Sequence, residues 1–183
     1  PFRHMHIGII IGRIGGVDGV ALETEKWIEV LKSMGHRVSI LSGQFQERPM
    51  DPDTETLVPE MSFFSPESFW SQKKAFFYPE TNQEELVEHL NLYSRVIYKK
   101  IMLWLEERKI ELIISENASS LPSHLEMGMA INKAVHKTGL PTITHDHDFA
   151  WERGDRYVSP HKEINDFISE VFPLRAPNSV HAV

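Results

Sequence analysis

His145-Asp146-His147-Asp148 sets two imidazoles and two carboxylates in four consecutive positions. Both groups are ordinary ligands for zinc or manganese. In an extended strand, however, the histidines share one face and the aspartates the other, so all four converge only where the backbone turns sharply. A second reading has one histidine contacting a sugar hydroxyl or a developing charge, with an aspartate orienting its imidazole. A third is plain capping of a loop. Residue types alone leave the three open, because the geometry of a site decides its chemistry.

Gly15-Gly16-Val17-Asp18-Gly19-Val20 lies between the apolar run Ile7-Gly8-Ile9-Ile10-Ile11 and a long amphipathic pattern. A glycine-rich turn from a buried strand into a helix N-terminus can bring backbone N–H groups against an anion. Gly12, Gly15, Gly16 and Gly19 do not have the dinucleotide-binding spacing, and no Gly-Lys-Ser/Thr of a Walker loop follows. The alternative is a tight turn that holds no ligand. Further on, Trp151-Glu152-Arg153-Gly154-Asp155-Arg156-Tyr157 joins an aromatic platform to two guanidinium groups. Such forks suit a carboxylate or phosphate, or serve a surface lattice with Glu152 and Asp155.

The elements that must position these groups read as an alternating α/β chain. His6 to Ile11 is apolar without polar alternation, the pattern of a strand covered on both faces. Val20, Trp27, Ile28, Leu31 and Met34 recur at helical spacing, and Gly35 follows as a left-handed cap. Val38 to Leu41 is the next strand, which completes a right-handed βαβ crossover. The proline-rich stretch from Gln44 to Pro79 is expected to hold one or two short strands and little helix. Its aromatics, Phe63, Phe64, Phe69, Trp70, Phe76, Phe77 and Tyr78, suit a satellite core, a ligand cleft or a partner surface. Thr81 with Glu84, and Ser123 with Glu126, have the spacing of capping boxes. They open a helix to about Lys109 and another through Val135, closed by Gly139. Leu112-Ile113-Ile114 and Pro141-Thr142-Ile143-Thr144 are strands, with Ser115 to Ser120 as a polar exit loop. A last helix covers about Pro160 to Val171, and a strand begins at Val180. The predicted fold is a Rossmann-like, doubly wound parallel sheet with helices on both faces, in a single domain over residues 1–183. Such sheets bind ligands at the carboxyl ends of their strands, where the glycine loop, the Glu116 loop and the His145 cluster all fall.

Composition narrows the function. The chain has 183 residues and a formal charge of −7, which argues against a general nucleic-acid surface. It has no cysteine, so disulfides, thiolate catalysis and cysteine metal sites are excluded. Apolar runs fall far short of the roughly 20 residues that span a bilayer, and the expected location is the cytoplasm. Pro1-Phe2-Arg3-His4 is assigned no function.

The order Ile9-Ile10-Ile11, Gly15-Gly16, a long helix, then Gly35-His36-Arg37-Val38 resembles the N-terminal half of GT-B glycosyltransferases of family 4. The likeness continues at Leu140-Pro141-Thr142-Ile143-Thr144-His145-Asp146 and leaves out Gln44 to Pro79. The Asp-Gly-Val form of the loop and the Trp151-Glu152-Arg153 extension are similar to the branch that makes small glycosides such as mannosylglucosylglycerate. The resemblance implies a retaining transferase moving a sugar from a nucleotide-sugar donor to a small acceptor, acidic ones included, in a cleft between two Rossmann-like domains. It implies that Gly15 and Gly16 approach the donor diphosphate or reacting sugar, and that His145 is the catalytic contact near the reaction centre. By position, Asp18, Glu116, Asn117, His147, Trp151 and Arg153 are expected acceptor contacts. No cofactor and no metal are expected. The family's C-terminal donor-binding domain is absent here, so this part alone is expected to be an inactive acceptor-side half. The rival is a non-catalytic Rossmann-like module that binds a nucleotide or partner. A nucleotide-sugar epimerase or dehydrogenase is a further alternative, but the chain has neither the dinucleotide fingerprint nor a Tyr-x-x-x-Lys pair.

Overall fold

Alternate side chains of the first strand enter different cores, and this sets the layering of the molecule. In β1 (His6–Ile11), Ile10 packs into a cluster with Ile97, Ile101, Trp104 and Ile131. Ile7, Ile9 and Ile11 enter another with Ile28 and Val38. A strand covered on both sides shows no polar alternation, and each buried isoleucine contributes about 1.5–3 kcal/mol. The structure, a computed structural model, describes residues 3–183. Pro1 and Phe2 of the N-terminal tetrapeptide lie outside the described residues.

The other strands are β2 (Arg37–Ser42), β3 (Glu55–Leu57), β4 (Leu112–Glu116), β5 (Thr142–His145) and β6 (Ser179–Ala182). They form one six-stranded sheet in the order β3-β2-β1-β4-β5-β6. Every pairing is parallel. The helices are α1 (Gly19–Ser33), α2 (Pro66–Phe76), α3 (Gln83–Glu107), α4 (Leu125–Thr138) and α5 (Lys162–Val171). Ile28 of α1 packs on one face of the sheet, and α3 and α4 pack on the other. This is the doubly wound Rossmann-like arrangement, with the strand order reversing between β1 and β4. Gly8 makes room for the first of these clusters, because a Cβ there would lie 2.5 Å from the Trp104 ring.

Local chemistry departs from the sequence expectation at four points. The stretch from Gln44 to Pro79 contains the eleven-residue helix α2. Pro66 occupies its first turn, where a missing N–H costs nothing, and Ser65 accepts the Ser68 N–H. Its buried side includes Ser68, Ser71 and Ala75, a small polar stripe that an apolar pattern does not reveal. The cap of α3 is Asn82, not Thr81, with the Glu85 N–H donating to Asn82 Oδ1 at 3.2 Å. The cap of α4 is His124, not Ser123, with Met127 N–H donating to His124 Nδ1 at 3.1 Å. Finally, Ser115 and Glu116 belong to β4 and not to its exit loop. Gly35 and Gly139 do take the left-handed conformation, at φ 90° and 66°.

The aromatic residues of the irregular stretch divide. Phe76 is core, Phe63 reaches a cleft, and Phe64, Phe69 and Phe77 are exposed.

Candidate functional site

An open cleft of about 620 Å³ sits at the carboxyl ends of β1, β4 and β5. The crossover there sends the chain to opposite sides of the sheet after β1 and β4, which leaves a crevice between the two departing loops. After β1 the walls are Ile11, Gly12 and Arg13; after β4 they are Glu116 and Asn117. His147 and Asp148 follow β5, and Asp18, Gly19 and Val20 bring the N-terminus of α1 to the rim. The volume suits a small-molecule ligand. Its carboxylates, Asp18, Glu116 and Asp148, outnumber the one guanidinium, Arg13, among the described lining residues.

Behind the cleft wall the parallel register places Glu116 directly opposite His145. His145 Nδ1 lies 2.8 Å from Glu116 Oε2, and the imidazole stacks on Trp27 of α1 with ring centroids 4.1 Å apart and planes 15° apart. Glu116 is 1% exposed. Burial pushes its carboxyl up to about 8, while burial, aided by His147, holds the His145 imidazole below its ordinary value. Both shifts favour the uncharged forms, and in an uncharged pair a Glu116 O–H donates to His145 Nδ1 while the opposite ring nitrogen carries the proton. His147 comes next, its ring centroid 4.3 Å from that of His145 and its Nε2 3.7 Å from Glu116 Oε2. Asp146 points elsewhere, accepting from Thr144 Oγ1 at 3.1 Å and lying 2.7 Å from His181 Nδ1. Strand alternation thus separates the two histidines from Asp146.

The residues proposed from sequence fall into distinct places. Asp18 lines the cleft and is also the cap of α1, accepting the Ala21 N–H at 3.0 Å. Its other oxygen lies 3.4 Å from Arg13 Nε. Asn117 lines the cleft in a left-handed conformation, φ 52°. Its Oδ1 accepts the backbone N–H groups of His147 and Asp148 at 3.0 and 3.2 Å and the Ser120 hydroxyl at 2.9 Å. That oxygen therefore fastens the loop after β5. Gly15 and Gly16 are outside the cleft walls, and what requires glycine there is Gln46. A Cβ on Gly15 (φ 93°) would come 2.3 Å from the Gln46 carbonyl oxygen, and one on Gly16 2.5 Å from its Oε1. Trp151 and Arg153 also stand outside the walls. Trp151 stacks on Phe149 with ring centroids 4.6 Å apart, and Arg153 donates to Asp148 Oδ1 at 2.7 Å. Sequence reasoning passed over Trp27, whose helical spacing reads as core, and Arg13, whose place beside two glycines carries no signal of its own.

Fold and cleft define a Rossmann-like α/β unit with a ligand crevice at its topological switch point. No protein-family model matches the chain. The chain is similar to two curated proteins, each called mannosylglucosylglycerate synthase. The relative from Petrotoga mobilis is 29% identical over 91% of this chain and 36% of its own length. The one from Thermotoga maritima is 28% identical over 98% of this chain and 40% of its own length. The chain therefore spans well under half of the curated relatives it matches. Among solved structures, a nicotinate-nucleotide-dimethylbenzimidazole phosphoribosyltransferase from Thermus thermophilus aligns at 9% identity and a TM-score of 0.36, over 78% of this chain and 61% of that one. A likeness that low carries no functional argument. No helix among the described residues is long and apolar enough to cross a membrane.

Proposed function

We propose that this chain is the N-terminal, acceptor-side part of a glycosyltransferase of GT-B type, which moves a sugar with retention from a nucleotide-sugar donor to a small hydroxylated acceptor. One observation carries the reading: the switch-point cleft is walled by Glu116 and His147 and backed by the Glu116–His145 pair. The names of the two relatives support it, and their greater length leaves room for a donor-binding part.

In the proposed reaction an acceptor hydroxyl forms a bond to the anomeric carbon while the bond to the nucleoside diphosphate breaks, and the hydroxyl proton passes to the departing phosphate oxygen. Negative charge grows on the departing phosphate and positive charge on the sugar, so catalysis is largely electrostatic. His145 is held by Glu116 on one side and by the Trp27 face on another, which fixes its ring before substrate arrives. Its outer ring nitrogen then donates to a sugar oxygen near the reaction centre. Asp18 and Asp148 accept hydroxyls of the acceptor, a role carboxylates fill without needing a charged ligand. The N-terminus of α1 offers partial positive charge at the same rim.

The test is to assay the full-length protein against a panel of nucleotide-sugars with small acidic and neutral acceptors, then repeat it with His145→Ala. Turnover that falls by about 100-fold or more in the variant, the scale of a lost transition-state hydrogen bond, supports the reading. Full activity in the variant removes His145 from the mechanism. Nucleotide binding without turnover for any pair favours a binding module instead.

A further inference from the structure

One ligand atom from each of Glu116, His145 and His147 lies within 4.8 Å of the other two. Two carboxylate or imidazole atoms bound to the same zinc are separated by about 3.3 Å, given bonds of about 2.0–2.1 Å in a tetrahedron. The 2.8 Å from His145 Nδ1 to Glu116 Oε2 and the 3.7 Å from that oxygen to His147 Nε2 bracket this spacing. The longer distance is no hydrogen bond.

Two polar atoms of the cluster are left over. Glu116 Oε1 and His147 Nε2 are both shut off from solvent and have no hydrogen-bond partner. A buried acceptor or donor without a partner costs free energy, so native structures usually supply one. We propose that Glu116, His145 and His147 form a binding site for one divalent cation of the zinc class, with its open coordination position facing the cleft.

The donor set fits. Two imidazoles and one carboxylate are a set that catalytic zinc sites use with an open fourth position, and no thiolate is needed. Glu116 and His147 both line the cleft, so the open position meets whatever enters it. Asp18 and Asp148 line the same cleft, each beside an arginine, Arg13 and Arg153, so it is the three ligand atoms and not the charge around them that point to a cation. Asp146 lies outside the cluster, whose grouped atoms come from Glu116, His145 and His147, and its Oδ2 is engaged by Thr144 and His181. The site departs from the metal-free expectation that the family resemblance implied. It stands on its own residues and is independent of the proposed transfer reaction.

The full-length protein, stripped with chelator and dialysed, is titrated with Zn²⁺ by calorimetry and with Co²⁺ by visible absorption. One equivalent is expected, with cobalt bands of a four- or five-coordinate site. His147→Ala and Glu116→Gln should each weaken uptake at least about tenfold, since even loss of an outer-shell partner reaches that scale. His136→Ala, an exposed histidine on α4, should leave uptake unchanged. Glu116 is buried, so a folding defect in its variant is checked by circular dichroism. The partly exposed His147 then decides the matter alone. No uptake, or uptake indifferent to His147→Ala, overturns the assignment.

Discussion

Glu126 is a fully buried carboxyl in the first turn of α4, and its surroundings make it a sharp test of the electrostatics of this fold. Its Oε1 is 2.5 Å from Ser71 Oγ, which is also 3.0 Å from the Ser68 carbonyl oxygen. One hydroxyl proton cannot serve two acceptors. A protonated Glu126 resolves the arrangement: its O–H donates to Ser71, and Ser71 donates onward to Ser68. Burial accordingly raises this carboxyl from 4.5 to about 7. Between those values the folded protein holds a proton that the unfolded chain has released, so stability falls as pH rises and levels off above about 7. Across that interval of about 2.5 in pH, the loss is about 3 kcal/mol at 1.36 kcal/mol per unit. His124 acts the other way. Burial lowers it from 6.5 to about 4, so its contribution is complete above 6.5 and is lost as pH falls toward 4. In the native protein the two slopes largely offset one another between about 4.5 and 6.5. Glu126→Gln keeps an N–H donor for Ser71 and removes the titration. Urea unfolding of both proteins at pH 4.5, 6.0 and 7.5 should show the variant gaining about 3 kcal/mol relative to the parent from the lowest to the highest pH. Parallel stability curves would refute the buried neutral carboxyl.

His124→Ala removes the cap of α4 and the bond from Nε2 to the Glu60 carbonyl at 2.8 Å. A loss of about 2–4 kcal/mol at pH 7 is expected, shrinking toward pH 4, by denaturant titration. Asn117→Ala frees two backbone N–H groups of the loop after β5 and should cost about 2–3 kcal/mol. Hydrogen exchange at His147 and Asp148 should rise in that variant, whereas Asn117→Asp, which keeps an acceptor oxygen, should retain their protection. Gly15→Ala should cost about 1–3 kcal/mol because it meets the Gln46 carbonyl at positive φ. Gly19→Ala, where an added Cβ would have nothing within 4 Å, should be neutral or mildly stabilising, and thermal melts of both glycine variants against the parent check the pair.

The sequence by itself determined most of the elements and the doubly wound layering. Runs without polar alternation at Ile7 to Ile11 and Leu112 to Ile114 could be strands only if both faces were covered. Amphipathic stripes between them left parallel crossover connections as the outcome, and so placed His145 and the glycine loop at the carboxyl ends of strands. Short-range cues were less secure: a cap moved by one residue at Asn82 and at His124, where an imidazole nitrogen takes the role expected of a hydroxyl. The helix over Pro66–Phe76 escaped because serines and an alanine form much of its buried side.

What only tertiary structure decided was partnership. Glu116 and His145 are far apart in sequence, and the β4–β5 register is what sets one opposite the other. Trp27 on a distant helix closes the stack. Sequence left Gly15 and Gly16 open between a ligand contact and a tight turn, and the structure shows Gln46 as one reason for glycine there, because a close backbone approach looks the same from the chain whether a phosphate or another peptide makes it. Periodicity reports which face of an element is buried. Contacts between elements depend on register and crossing geometry, which no local pattern encodes.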